Sequence, residues 1–325
     1  MSFLKKNKSK RMLLVGVWVN RNWILGNWIK EVEARHPKHF KLWWLPTIYS
    51  GKRKFEKIVR FPLPRFDSYF FSYPTIFKHY LEKNPDRFES KSIILYPHNE
   101  PEMGTISDQV ELLNKAFKTY FYCKADADNL ISNGLHPEKA LVANCGIDID
   151  CVNSKNEVRN RQTIVLASKF GPRKGVELLP PLIKMLPEWQ FVIMGRGWEP
   201  FLKQEKIINL PNLTYVKFNK ENRAKFLSGA KIFLSLSNLE GGPVPLIESM
   251  SLGVIPISTN TGFAPEFIKD GVNGYLLPIN PDPKLIVAKI RSINELSEKP
   301  EYAVSHLTWD RIAKFTFQDL VNITT

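Results

Sequence analysis

At 325 residues the chain suits two domains of roughly 150 residues, each able to bury its own core. Hydrophobic residues make up 43% and charged residues 24%, an ordinary globular balance that excludes a chain dominated by disorder. No apolar run approaches the roughly 20 residues that span a bilayer, and the net charge of +14 is strongly basic.

The first strand-like run is Met12 to Val19. The basic stretch before it (Lys5, Lys6, Lys8, Lys10, Arg11) lacks the apolar segment and small-residue cleavage site of a secretory leader. Cys123, Cys145 and Cys151 form no CxxC pair, so free thiols in a reducing compartment are the simplest reading, and the expected location is the cytoplasm. Residues 1–60 hold fifteen Lys or Arg against three acids, a local charge of +12. Five of the eight tryptophans also fall there: Trp18, Trp23, Trp28, Trp43 and Trp44. Basic charge beside aromatics fits a peripheral position on an anionic membrane surface, at its inner face, or against another polyanion. A solvated basic face over tryptophans in the core fits as well. Trp18, inside the strand, belongs to the core on either view. Charge alone would also suit nucleic acid, but no nucleic-acid motif accompanies it, so nucleic acid is not an expected partner.

Ile24, Trp28, Ile29 and Val32 fall at helical spacing and predict a helix over Ile24–Arg35. Strands follow at Phe40–Leu45, Ser68–Phe71, Ser92–Tyr96, Thr119–Cys123 and Ala140–Ala143, with helices at Pro74–Lys83, Ile106–Lys115 and Ala125–Ser132. The polar stretch 153–161 (NSKNEVRNR) reads as a linker. Beyond it come strands at Thr163–Ala167, Gln190–Met194, Thr214–Lys217, Ile232–Leu236 and Val254–Ile257. Helices at Gly175–Met185, Trp198–Lys206, Glu221–Ser228 and Pro245–Leu252 alternate with them. Such alternation predicts α/β architecture, two successive doubly wound modules with parallel sheets. Ligands of such sheets sit at the carboxyl ends of the strands, so the strand-to-helix turns are where chemistry is sought. Trp309, Ile312, Phe315 and Leu320 set an apolar stripe along a final helix, Trp309–Val321.

The most informative stretch is Leu234 to Leu277, LSLSNLEGGPVPLIESMSLGVIPISTNTGFAPEFIKDGVNGYLL. After a strand the chain presents Glu240, then Gly241 and Gly242, then Pro243 and Pro245 opening a helix. Two glycines let a ligand approach the backbone. Proline near a helix start costs no needed N–H, and the free N–H groups with the positive dipole end form an anion site. Glu248 lies further along the helix. A diphosphate at that N-terminus would be flanked by two carboxylates able to accept from sugar hydroxyls. The alternative is a glycine-rich connection with surface acids.

This segment resembles the family 4 glycosyltransferases, whose signature is Glu, seven residues, Glu; Glu240 and Glu248 have that spacing. The Gly-Gly-Pro, Ser249-Met250 before Gly253, Pro256, Pro265-Glu266, Asp270-Gly271 and Asn273-Gly274 match as well. Leu166–Val176 (LASKFGPRKGV) is similar to the family segment whose basic residues clasp the donor pyrophosphate, which falls on Lys169 and Lys174. Lys169 keeps the charge of the more usual Arg without its planar fork. Gly195-Arg196-Gly197 matches a family turn that usually carries an acid, adding Arg196 to the donor-binding set. Ala140–Asp148 resembles the family strand ending in Asn-Gly-(Ile or Val)-Asp, with Cys145 in the usual Asn position. His98, after Ser92–Tyr96, stands where the family has an active-site histidine. Asn20-Arg21-Asn22-Trp23 replaces the family's Gly-Gly turn.

The resemblance implies the GT-B architecture, two Rossmann-like doubly wound domains facing a central cleft. The expected division is an acceptor-side domain over 1–152, the linker, a nucleotide-sugar domain over 162–305, and a helix over 306–325 crossing back. It implies a retaining, metal-independent hexosyltransferase with no cofactor. The donor is expected to be a UDP-linked sugar, and the acceptor a glycan or lipid-linked molecule, as in polysaccharide biosynthesis. His98, Lys174 and Glu240 are the expected catalytic residues. Lys169, Lys174, Arg196 and the N–H groups across Gly241, Gly242, Pro243 and Val244 are expected to hold the donor, with Glu240 on the sugar and Glu248 on the ribose. Asp126-Ala127-Asp128 and Asp148-Ile149-Asp150 look like metal motifs of other glycosyltransferases but are read as helix starts or caps. A non-catalytic nucleotide-sugar-binding GT-B protein is the alternative, suggested by the altered turn and by Ser168-Lys169.

Overall fold

The computed structural model describes residues 12–19, 24–46, 65–147 and 162–324. The Asn20–Trp23 turn, the linker 153–161, the basic residues before Met12, Asp148, Asp150 and Cys151 lie outside them. In chain order the elements begin with β1 (Leu13–Val19), α1 (Ile24–Glu33), β2 (Phe40–Pro46), β3 (Ser68–Phe71), α2 (Pro74–Lys83) and α3 (Pro85–Phe88). Then come β4 (Ser92–Tyr96), α4 (Ile106–Asn114), β5 (Lys118–Phe121), α5 (Lys124–Ser132) and β6 (Ala140–Val142). The later part runs β7 (Thr163–Ala167), α6 (Leu179–Met185), β8 (Gln190–Met194), α7 (Glu199–Gln204), β9 (Leu213–Val216), α8 (Lys220–Ser228) and β10 (Ile232–Ser235). It ends with α9 (Val244–Ser251), β11 (Ile255–Thr259), α10 (Ala264–Phe267), β12 (Tyr275–Leu277), α11 (Pro283–Arg291), α12 (Glu301–Val304) and α13 (Trp309–Asn322).

Two compact units result. The first gathers Met1–Phe121, Ala127–Ala143 and Trp309–Thr325; the second gathers Tyr122–Asp126 and Asn144–Thr308. Placing 122–126 and 144–147 in the second unit differs from the division expected from sequence. The reason is local: the Glu266 carboxylate of α10 accepts from Lys124 N–H at 2.6 Å and from Asn144 Nδ2 at 3.1 Å.

Each unit holds one six-stranded parallel sheet, ordered β2-β1-β3-β4-β5-β6 in the first and β12-β11-β10-β7-β8-β9 in the second. These are the two common doubly wound orders, with the strand sequence reversing between β1 and β3 and between β7 and β10. Strands β3 and β4 are buried at every residue, as parallel strands covered on both faces must be. The core of the second unit packs Ile164, Phe191, Ile193, Ile232 and Ile257 of the sheet with Leu182, Ile183, Ile286 and Ile290 of the covering helices.

The expected helix Gly175–Met185 is not continuous. Gly175 adopts φ 61°, a left-handed conformation that ends the 3-10 turn Pro172–Lys174. A second 3-10 turn, Val176–Leu178, precedes α6, whose Pro180 and Pro181 fall in the first turn, where their missing N–H groups cost nothing. Strand β12 and helix α11 were not anticipated. A three-residue strand shows no period, and no motif drew attention to α11. Among the tryptophans, Trp18 and Trp28 are core residues, both 1% exposed. Trp43 on the edge strand β2 is exposed, and Trp44 donates from Nε1 to Glu33 Oε1 at 2.7 Å. Among the described residues no helix is long and apolar enough to cross a membrane.

Helix α13 belongs to the first unit, returning there after the whole second unit. Trp309 meets Trp28 of α1 edge-on at 6.2 Å, and Phe317 meets Phe40 at 4.8 Å. Three residues of the expected stripe, Trp309, Ile312 and Leu320, lie on the buried face, joined by Phe317, Thr316 and Asp319, while Phe315 is half-buried against Tyr120. Polar residues tolerate that face because they are partnered. Tyr120 donates to Asp319 Oδ2 at 2.7 Å, Lys118 Nζ reaches Oδ1 at 3.1 Å, and Thr316 bonds back to Ile312 O. Burial, and then the Asp319 carboxylate, push the Tyr120 phenol well above its ordinary value. A raised folded-state value means that the phenol's contribution is fully present below the ordinary tyrosine value near 10 and is lost as pH climbs above it. Tyr120→Phe should therefore cost about 1–3 kcal/mol in urea unfolding at neutral pH, because a buried carboxylate loses a donor. The same variant should show a shallower loss of stability above about pH 10 than the unmodified chain.

Candidate functional site

The strand order reverses between β7 and β10, the place where sheets of this kind hold ligands, and the loops after the parallel strands β7, β8, β10 and β11 leave from the same carboxyl edge. The loop after β7 is pinned to the loop after β8. Ser168 N–H donates to Met194 O, Phe170 N–H to Arg196 O, and Trp198 Nε1 to Ser168 O at 2.7 Å. The Phe170 ring packs against Trp198 at 5.4 Å. This anchoring fixes Lys169 and Arg196, both exposed, on neighbouring turns.

The same loop is laced to the loop after β10. Asn238 N–H donates to Arg173 O at 2.7 Å, and Arg173 Nη1 donates to Leu239 O at 3.2 Å. Gly175 lies so close that a Cβ on it would sit 2.2 Å from Leu236 O, so its left-handed turn and its missing side chain are both required. As a result the Lys174 ammonium and the Glu240 carboxylate meet in an ion pair, with their side chains 15% and 9% exposed.

Beyond Glu240 the chain is braced from β11. Ser237 O accepts from Thr259 Oγ1, and Gly241 O accepts from Phe263 N–H at 3.0 Å. Gly242 is wedged between the rings of Phe263 and Tyr122, where a Cβ would come within 2.5 Å and 2.7 Å of them. Helix α9 then opens at Val244, with Pro243 as its N-cap residue and Pro245 in its first turn. Its dipole and its first N–H groups give this end a positive potential. Pro243 itself carries no N–H, so the donors among the four expected residues reduce to Gly241, Gly242 and Val244.

The structure thus brings Lys174 and Glu240 into direct contact and sets Lys169, Arg196 and Gly241–Val244 on the same sheet edge. Glu248 is 2% exposed and paired at 3.1 Å with Arg223 of α8, a residue that sequence reasoning did not single out. A lone Arg in a polar helix carries no signal in sequence; only the fold shows its partner. Glu266, noted earlier only as part of a pattern, proves to bind the segment 122–126 and Asn144 to α10. Asp126 lies in the first turn of α5 and accepts from the Cys123 thiol at 3.2 Å, and burial pushes that thiol up. His98 lies in the first unit beyond the end of β4, with Nε2 3.0 Å from Glu100 Oε1.

Residues 152–306 match the family model described as Glycosyl transferases group 1. The UDP-N-acetylglucosamine--peptide N-acetylglucosaminyltransferase GtfA subunit of Streptococcus pneumoniae is 28% identical over 153 residues, 45% of this chain and 30% of that protein. Glycogen synthase of Thermotoga petrophila is 29% identical over 169 residues, 49% of this chain and 32% of that protein. The chain thus spans about a third of the length of these two relatives. Among solved structures, Anabaena Alr3699/HepE in complex with UDP-glucose superimposes with a TM-score of 0.68 at 15% identity, over 96% of this chain and 97% of that one. That likeness, with the two parallel sheets, gives the fold: α/β, Rossmann-like in both units, of the GT-B type. The match lies in the second unit, which sets Lys169, Lys174 and Glu240 at one sheet edge, and makes residues 152–306, just under half of the chain, similar to the glycosyl transferases group 1 family.

Proposed function

We propose that the chain is a glycosyltransferase that moves a hexosyl group from a UDP-linked sugar to a glycan or lipid-linked acceptor with retention of configuration and without a resident metal. The observation that carries this reading is the placement of Lys174 and Glu240 at the parting of β7 and β10, beside the start of α9, within the group 1 segment. The sequence relatives and the nucleotide-bound structural neighbour support it.

In the reaction the bond between the sugar's anomeric carbon and the diphosphate oxygen breaks, the acceptor hydroxyl oxygen bonds to that carbon, and its proton passes to the departing diphosphate. The transition state places positive charge on the sugar and negative charge on the departing diphosphate. Lys169, Lys174, Arg196 and the N–H groups of Gly241, Gly242 and Val244 stabilise that negative charge in place, with no reorganisation at the moment of bond cleavage. Glu240 accepts from sugar hydroxyls and orients the ring. Glu248 accepts from the ribose, held in position by Arg223.

A panel of nucleotide sugars assayed for nucleotide release, with and without a lipid-linked acceptor, tests the reading directly. NMR of the product's anomeric proton decides retention against inversion. Binding of donors without turnover on any acceptor would make the chain a nucleotide-sugar-binding protein instead. Glu240→Gln and Lys174→Ala should each lower transfer at least about tenfold, the effect of losing roughly 1.4 kcal/mol of transition-state interaction. Circular dichroism should show both folded; near-normal turnover in both removes the assignment.

Transfer should also persist in excess EDTA, since helix dipole and lysines take the place of a metal. Loss on chelation with recovery in Mn²⁺ would return Asp126 and Asp128 to consideration as ligands. For the acceptor side, exposed Trp43 with Lys41 Nζ 4.8 Å from its ring centre supports contact with an anionic lipid surface. Co-sedimentation with liposomes should rise with anionic lipid content at low salt and weaken in Trp43→Ala. Binding indifferent to lipid charge would leave the basic face merely solvated.

A further inference from the structure

On the donor-site reading above, the geometry points to a discriminating role for the Lys174–Glu240 pair: it disfavours the bare nucleoside diphosphate and favours the sugar-bearing donor. The two partners meet because their loops are tied together. Asn238 N–H on Arg173 O, Arg173 Nη1 on Leu239 O, and Gly175 pressed against Leu236 hold them in register. With side chains only 15% and 9% exposed, little water is at hand to replace a lost partner.

A diphosphate arriving at the start of α9 draws the Lys174 ammonium toward its own charge. Glu240 is then left as a poorly hydrated carboxylate beside phosphate oxygens of the same sign. A donor sugar remedies this, because its hydroxyls donate to the deserted carboxylate in charge-assisted hydrogen bonds. The bare diphosphate brings no such donor. The pair therefore competes with the spent nucleotide and yields to the intact donor, which speeds departure of the leaving group after transfer. Glu240 sets specificity for the presence of a sugar, and Lys174 is the group exchanged.

Titration calorimetry on the full chain tests this with UDP, GDP and TDP, using the one bound most tightly. Glu240→Gln and Glu240→Ser should bind that nucleotide at least about fivefold more tightly than the unmodified chain, the scale expected when a competing ion pair is removed. Lys174→Met should bind it more weakly, and adding Glu240→Gln to Lys174→Met should bring no gain, since the two side chains act as one unit. Unchanged or weaker binding in both Glu240 variants, with the unmodified chain still binding, overturns the inference and leaves the donor site intact. A gain that survives in the double variant overturns it too, because removal of negative charge alone would then explain it. Loss of the folded state in both Glu240 variants makes the carboxylate a structural partner and likewise overturns it. If neither the unmodified chain nor any variant binds any of the three nucleotides, the donor-site reading itself falls.

Discussion

Everything at the second sheet's carboxyl edge depends on one constraint: adjacent parallel strands whose connections run to opposite sides must leave a gap between their following loops. Here the gap opens between β7 and β10. The chain fills it with a cation from one loop and a carboxylate from the other. Neither would be tolerated at such low exposure alone, because a poorly hydrated charge needs a partner. The pair is thus the means by which two poorly exposed charges on neighbouring loops are stabilised. It also explains the glycines around it: Gly175, Gly242 and Gly262 lie where backbone or rings come closer than a Cβ allows.

Charge is distributed unevenly across that edge. Lys169, Arg173, Lys174 and Arg196 lie on the loops after β7 and β8, whereas both signature glutamates are neutralised by partners, Lys174 for Glu240 and Arg223 for Glu248. The balance seen by an incoming anion is therefore more positive than a count of acids in the motif suggests. A helix start points its positive end into the same region, so the field is built from fixed dipoles and side chains together.

Much of this was legible in the sequence, for reasons that differ by element. Strands such as β3, β4, β7 and β8 lie where continuous apolar runs put them, since full burial on both faces leaves an unmistakable composition. Lys174, Glu240 and the glycine turn were legible through their likeness to a family motif, and the fold sets them on one sheet edge beside the start of α9. The break before α6 was not, because a single left-handed glycine looks the same in sequence as one inside a helix. Nor were the ion pairs: Arg223 and Glu248 are 25 residues apart, and only the stacking of α8 on α9 joins them. The buried face of α13 was legible at Trp309, Ile312 and Leu320 but not at Asp319 and Thr316, which are polar in sequence and lie inward through partners that no helical period reveals.

The return of α13 to the first unit has a consequence for how the protein is made. A ribosome completes β1 to β6 long before residues 309–322 exist, so the first sheet must wait through the synthesis of the entire second unit. During that interval the inner faces of Trp28, Phe40 and Tyr120 lack their partners Trp309, Phe317 and Asp319. The second unit, by contrast, is nearly contiguous from Asn144 to Thr308 and can close first. Nascent chains therefore carry a nearly finished second unit and an open first one, and that open apolar face is where chaperones or misassembly would act.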